Sequence, residues 1–175
     1  MLSDGDQRTL LGLARGTAEA AARGERLPDL TNPSGALREK GAAFVTLRIA
    51  GELRGCIGHV QAVAPLWESV REMAESAARR DGRFPPLRPE ELPGLSIEIS
   101  VLSPLTPIRP DQIRVGTHGL CVRRNGASGL LLPQVALEWG WGPDEFLRRT
   151  FEKGGVPYPD PQAELLAFTA ERFSG

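Results

Sequence analysis

The sequence predicts an α+β fold in which two β-rich pseudo-repeats share one antiparallel sheet, with helices packed around it. Three observations lead there. Glycine (20 residues) and proline (15) make up a fifth of the 175 residues, which favours turns and short elements over a long helical bundle. A strand, turn, strand and proline-initiated helix follow one another twice, over residues 44–80 and again over 120–153. Between them, Leu95, Ile97, Ile99 and Val101 alternate with Ser96, Glu98 and Ser100, the period of a half-buried strand. One domain over residues 1–175 is expected, with the repeats at about 42–103 and 113–173. A chain of this length buries roughly 70% of its unfolded surface, so its core needs neither disulfide nor metal.

In chain order, Ser3 and Asp6 form a capping box, and Leu10, Leu13, Ala14, Thr17, Ala18 and Ala21 recur at helical spacing until Gly24. A Pro/Asn/Gly connector follows, then a short helix closed by Gly41. Residues 43–49 and 52–60 form a hairpin about Ala50-Gly51. Pro65 opens a helix whose buried stripe is Leu66, Trp67, Val70, Met73, Ala74 and Ala77. Residues 81–94 hold four prolines but also Phe84, Leu87 and Leu92, so they form an anchored connector. After the 95–102 strand, residues 119–124 and 128–132 flank Asn125-Gly126, the strongest short-range hairpin signal in the chain. Residues 133–139 and 144–153 read as helices, and 164–173 as a last strand.

The 21 basic residues nearly balance the 22 acidic ones, leaving a net charge of -1. No global field draws such a chain to nucleic acid or to an anionic membrane. The first residues are polar and acidic, unlike a signal peptide, and the longest aliphatic run, Leu130 to Leu132, is too short to span a bilayer. Two cysteines in a chain with an ordinary core fit reduced thiols and a cytoplasmic location.

Leu53-Arg54-Gly55-Cys56-Ile57-Gly58 is the most informative stretch. Glycines inside a strand mark a bulge or a close approach by a backbone or ligand. In an extended chain Arg54 and Cys56 share one face and Leu53, Ile57 and His59 the other. A guanidinium beside a thiol favours the thiolate, whereas a thiol packed between glycines is inert; both readings stand, as does metal ligation. Cys56-x-x-His59 and His118-x-x-Cys121 contain every Cys and His of the chain. Their type suits zinc, but positions i and i+3 of a strand point to opposite faces, so no metal site is assigned. Arg83, held by Pro85 and Pro86, is placed to clamp a carboxylate or phosphate, or to pair with an acid such as Glu75 or Glu98. Gln134 and Glu138 share a helix face. Trp139, Trp141, Phe146 and Tyr158 are candidates for an exposed apolar patch. No phosphate-binding glycine loop, serine elbow or RNA-reading aromatic motif is present, and no cofactor is expected.

Leu53 to Gly58, then Asp81-Gly82-Arg83-Phe84-Pro85-Pro86, then Leu131-Leu132-Pro133-Gln134-Val135-Ala136 with Glu138-Trp139-Gly140-Trp141, resemble the ordered motifs of the AMMECR family, called AmmeMemoRadiSam system protein A in prokaryotes. The likeness spans residues 10–173. It implies an α+β fold of two β-rich repeats around a barrel-like antiparallel sheet. It also implies association with a Memo-type, dioxygenase-like protein and a radical SAM protein in a modification pathway. Carried over position by position, the site is Arg54, Gly55, Cys56, Gly58, Arg83, Phe84, Pro85, His118 and Gln134, with Cys56 as the catalytic candidate. His59 and Phe151 depart from the family pattern, and Cys121 lies outside it. The expected function is binding of an anionic small molecule or modified side chain in a cleft around Arg54, Cys56 and Arg83. The alternative is a non-catalytic interaction module, with nucleic-acid binding third.

Overall fold

Both halves of the capping box at Ser3 form: Ser3 Oγ accepts the Asp6 amide (3.1 Å), and the Asp6 carboxylate accepts the Ser3 amide (3.3 Å). The helix they start, α1 (Asp4–Arg23), ends at Gly24 with φ +68°, a left-handed cap that suits glycine. The computed structural model describes residues 1–175, and the chain divides into two compact units.

The first unit comprises Met1–Leu102 and Glu171–Gly175. After α1 come a single turn, α2 (Gly35–Arg38), then β1 (Ala42–Ile49) and β2 (Glu52–Gly58) as a hairpin. Its turn residues Ala50 and Gly51 both have positive φ (+51° and +85°), the twist-matched turn of a two-residue hairpin. Helix α3 (Leu66–Arg79) turns Leu66, Val70, Met73, Ala74 and Ala77 inward. A short 3-10 turn (Pro89–Gly94) leads to β3 (Leu95–Leu102), as the alternation predicts. The sheet is completed by a strand from far along the chain, β8 (Ala170–Ser174), in the order β2-β1-β3-β8. Its core joins Leu10, Ala14 and Ala18 of α1, Val45 and Leu47 of β1, Val70 and Ala74 of α3, and Ile97 and Ile99 of β3.

The second unit is Ser103–Ala170. It holds β4 (Thr106–Pro107), β5 (Gly119–Arg124), β6 (Ala127–Leu131), α4 (Pro133–Trp139), α5 (Pro143–Lys153) and β7 (Glu164–Phe168). Its sheet runs β4-β7-β5-β6, and Asn125-Gly126 forms the predicted turn with φ +48° and +85°. Leu120, Val122, Ala136, Phe146, Phe151 and Ala167 meet in its own core.

The α+β class with antiparallel strands and flanking helices is what the structure has. The single shared, barrel-like sheet gives way to two four-stranded sheets. The reason is local: each hairpin presses a glycine against a helix of its own unit, Gly55 on α3 and Gly129 on the end of α5, so each closes its own core. The expected last strand likewise splits at Thr169, β7 pairing with β4 and β5, and β8 with β3.

Candidate functional site

Cys56 is the cross-strand partner of Thr46, and the peptide of Cys56 faces away from β1, toward the open edge of the sheet. Such pairs bring their side chains close, and the Thr46 hydroxyl donates to Cys56 Sγ at 3.2 Å. Beyond that edge the Asp81 carboxylate accepts the Cys56 amide (2.9 Å), and Arg83 Nη2 donates to the Cys56 carbonyl (3.3 Å). Asp81 and Arg83 are themselves joined by two bonds, Nε–Oδ1 (2.9 Å) and Nη2–Oδ2 (2.7 Å). The pair thus offers β2 an acceptor and a donor where another strand would stand, closing an edge that could otherwise template aggregation.

Arg54, on β2 itself, ties down the rest of the 81–91 segment. Its Nε and Nη2 grip Glu91 (2.8 and 3.0 Å), and Nη1 and Nη2 donate to the carbonyls of Pro85 and Pro86 (2.8 and 3.3 Å). Only 12% of its side chain is exposed. The Phe84 ring is near both guanidiniums, 6.0 Å from that of Arg54 and 5.5 Å from that of Arg83, within cation–π reach. Residues 81–91 are therefore clasped to β2 at both ends.

The clasp sets its own charges. Hydrogen bonds from Arg83, then from the Cys56 amide, hold the Asp81 carboxyl well below the usual carboxylate range despite its burial. Asp81 in turn raises Arg83. Glu91 is lowered to about 2, mainly by Arg54 and further by the Arg88 amide.

The glycines of the motif serve packing. A Cβ on Gly55 would stand 2.2 Å from the Ala77 carbonyl oxygen of α3, and one on Gly58 would enter the Phe44 ring. What remains available at the clasp is partly buried Cys56, the partly exposed Phe84 ring, exposed Pro85 and the outer edge of Arg83, whose side chain is 58% exposed.

Arg54, Gly55, Cys56, Gly58, Arg83, Phe84 and Pro85 thus come together in the first unit. His118 and Gln134 belong to the second. There His118 Nδ1 accepts the Arg114 amide (3.2 Å) beside a shallow cavity of about 470 Å³, and Gln134 lies half-buried in the first turn of α4. The acid partner of Arg83 is neither Glu75, which pairs with Arg80, nor Glu98, which lies 3.8 Å from Arg172. Phe146 leaves the expected exposed patch for the core, where it is wholly buried. Trp139 is 70% exposed and stacks on Trp141, with Leu137 exposed nearby in the chain. Both cysteines are free, Cys121 is buried, and no three His, Cys, Asp or Glu side chains gather to hold a metal. Sequence reasoning missed Thr46, Asp81 and Glu91; the Asp81-Gly82-Arg83 spacing and the Arg88/Glu91 cap were their only local signals.

No helix is long and apolar enough to cross a membrane. A protein of Methanothermobacter thermautotrophicus is 45% identical over 98% of this chain and 95% of its own length. One from Thermococcus gammatolerans is 45% identical over 94% of this chain and 87% of its own. The crystal structure of uncharacterized protein PH0010 from Pyrococcus horikoshii superposes with a TM-score of 0.90 at 38% identity, covering 99% of this chain and 93% of that one. The AMMECR1 family model matches residues 11–173. With both clasp motifs and the 131–141 segment inside that match, the chain belongs to the AMMECR1 family.

Proposed function

We propose that the edge of β2 is a ligand site, where the Cys56 thiol and the outer side of Arg83 meet an anionic small molecule or a modified side chain. The protein then acts as a catalytic or accessory component of a modification pathway in the cytoplasm, alongside a Memo-type protein and a radical SAM protein. The observation that carries this reading is a partly buried cysteine at the sheet edge whose carbonyl is held by the exposed guanidinium of Arg83. A core cysteine needs no such setting, and Cys121, which is buried in the second sheet, lacks it. Arg54 is a positioning residue in this scheme. Its nitrogens are engaged by Glu91 and the two proline carbonyls, so it orients the Phe84-Pro85 segment and leaves contact with the anion to Arg83.

Alkylation resolved by mass tests the site. Cys56 should label faster than Cys121, and some member of a panel of phosphorylated and carboxylated metabolites should slow it. Arg83→Gln should abolish that protection. Equal labelling of the two thiols, or protection that persists without Arg83, would refute the site.

A second reading, docking to a partner protein without catalysis, is favoured by exposed Leu137 and the exposed, stacked Trp139. Co-purification with a Memo-type partner that is lost in Trp139→Ala supports it, and retention in that variant removes it.

A further inference from the structure

The one Asn-Gly pair of the chain sits at the tip of the β5–β6 hairpin, where the cross-strand pair Arg124–Ala127 ends the ladder and leaves Asn125 and Gly126 outside it. Both residues are exposed, and both hold positive φ, +48° and +85°. The Gly126 amide donates to no group of the protein, and no atom lies within 4 Å of the place a Cβ on Gly126 would take. A free backbone nitrogen with no side chain to screen it is the nucleophile an asparagine meets when its side chain cyclises onto the main chain.

The electrophile is prepared as well. Arg124 Nη1 donates to Asn125 Oδ1 (3.2 Å). Arg124 is itself fixed, its Nε donating to Asp160 (2.9 Å) and its Nη2 to Gln162. A guanidinium held on the side-chain carbonyl draws electrons from Cγ and stabilises the oxyanion that forms when Cγ is attacked. Asn32, the other asparagine, precedes Pro33, which has no N–H to attack with. The hairpin of the first unit supplies a contrast. Its turn, Ala50-Gly51, has the same pair of positive φ values and the same open space at its glycine, but no side-chain amide, and Ile49 stands at the position that matches Arg124.

We infer that Asn125 is a site of self-modification, deamidating through a cyclic imide with Gly126 that Arg124 promotes. The Gly126 nitrogen bonds to Asn125 Cγ and gives up its proton, and Nδ2 takes a proton and leaves as ammonia. Water then opens the five-membered imide at either carbonyl, giving aspartate or isoaspartate. Either product places a new carboxylate one residue from Arg124, and isoaspartate adds a carbon to the main chain of a two-residue turn. The site is independent of the ligand reading of β2.

Incubation of the full chain at mildly alkaline pH, followed by peptide mapping with mass spectrometry, tests it. Asn125 should lose ammonia and gain water, appearing as aspartate and isoaspartate peptides, while Asn32 stays intact. Ala50→Asn builds the same dipeptide in the same left-handed turn without the guanidinium. The asparagine introduced there should convert about fivefold more slowly than Asn125, the worth of one hydrogen bond. Arg124→Met should slow Asn125 to a similar degree with the melting curve retained; should that variant not fold, the comparison of positions 50 and 125 decides. No conversion at Asn125, a rate at position 50 as high as at 125, or an unchanged rate in folded Arg124→Met overturns the inference.

Discussion

Asp81 shows how one side chain can serve both a strand edge and an ion pair. Its carboxylate is 4% exposed and accepts from the Cys56 amide and the Arg83 guanidinium. Asp81→Asn should cost on the order of 2 to 3 kcal/mol in a denaturant titration, since it weakens a charge-assisted network and leaves a guanidinium without its anion. Cys56→Ser should be nearly neutral, within about 1 kcal/mol, because a hydroxyl at this partly buried position, facing Thr46, keeps a partner. A larger loss in that variant would show that Cys56 is there to pack, and would remove the case for a thiol site. The sequence placed Arg54 and Cys56 on one strand face and marked Arg83, and the structure brings all three to one edge. It left Asp81 and Glu91 unassigned because an acid two residues from an arginine acquires its role only once the adjacent strand is known to be an edge.

Local signals with a stereochemical cause were the most readable elements: the capping box at Ser3, the glycine cap, the proline-led helices and the Asn125-Gly126 turn. The two hairpins also make a comparison within one chain. Ala50 holds φ +51° where Asn125 holds +48° in the equivalent turn, and alanine tolerates that region less well than asparagine. Ala50→Asn should therefore stabilise the protein by about 0.5 to 1 kcal/mol by thermal melting. Glycines divide just as clearly. Gly12→Ala, with nothing within 4 Å of the new carbon, should stabilise α1 by up to about 1 kcal/mol. Gly55→Ala would drive a carbon into the backbone of α3 and should cost about 2 kcal/mol or more. Equal effects from those two variants would contradict the close approach of β2 to α3. The division of the last strand was not legible, since residues 164–173 contain no glycine or proline to mark Thr169 as the point where the chain changes sheets.

For the whole molecule, the clasp predicts acid sensitivity. Asp81 and Glu91 have lower pKa values when folded than their ordinary 3.8 and 4.5, so the folded state holds its negative charge more firmly than the unfolded one. The contribution of Glu91 is complete above about pH 5 and is lost as the pH falls from there through about 2, amounting to on the order of 3 kcal/mol, and that of Asp81, whose carboxyl is held lower still, is lost further down. Stability measured across that window should drop in the wild type and drop less in Asp81→Asn; parallel curves would show that the clasp is not the source. The sequence foresaw helices and antiparallel strands but not two sheets, because strand partners 70 residues apart leave no local pattern. That long-range pairing has a further consequence. The strand completing the first sheet returns only after the chain has made the whole second unit, whose ends are tied by the Ser103 amide to the Thr169 carbonyl (2.9 Å) and the Thr169 amide to Ser103 Oγ (2.9 Å). The second unit is in effect a closed loop spliced into the first. Replacing it with a few residues between Leu102 and Glu171 would leave every strand of the first sheet present, and the shorter closure would favour their assembly by about 2 kcal/mol.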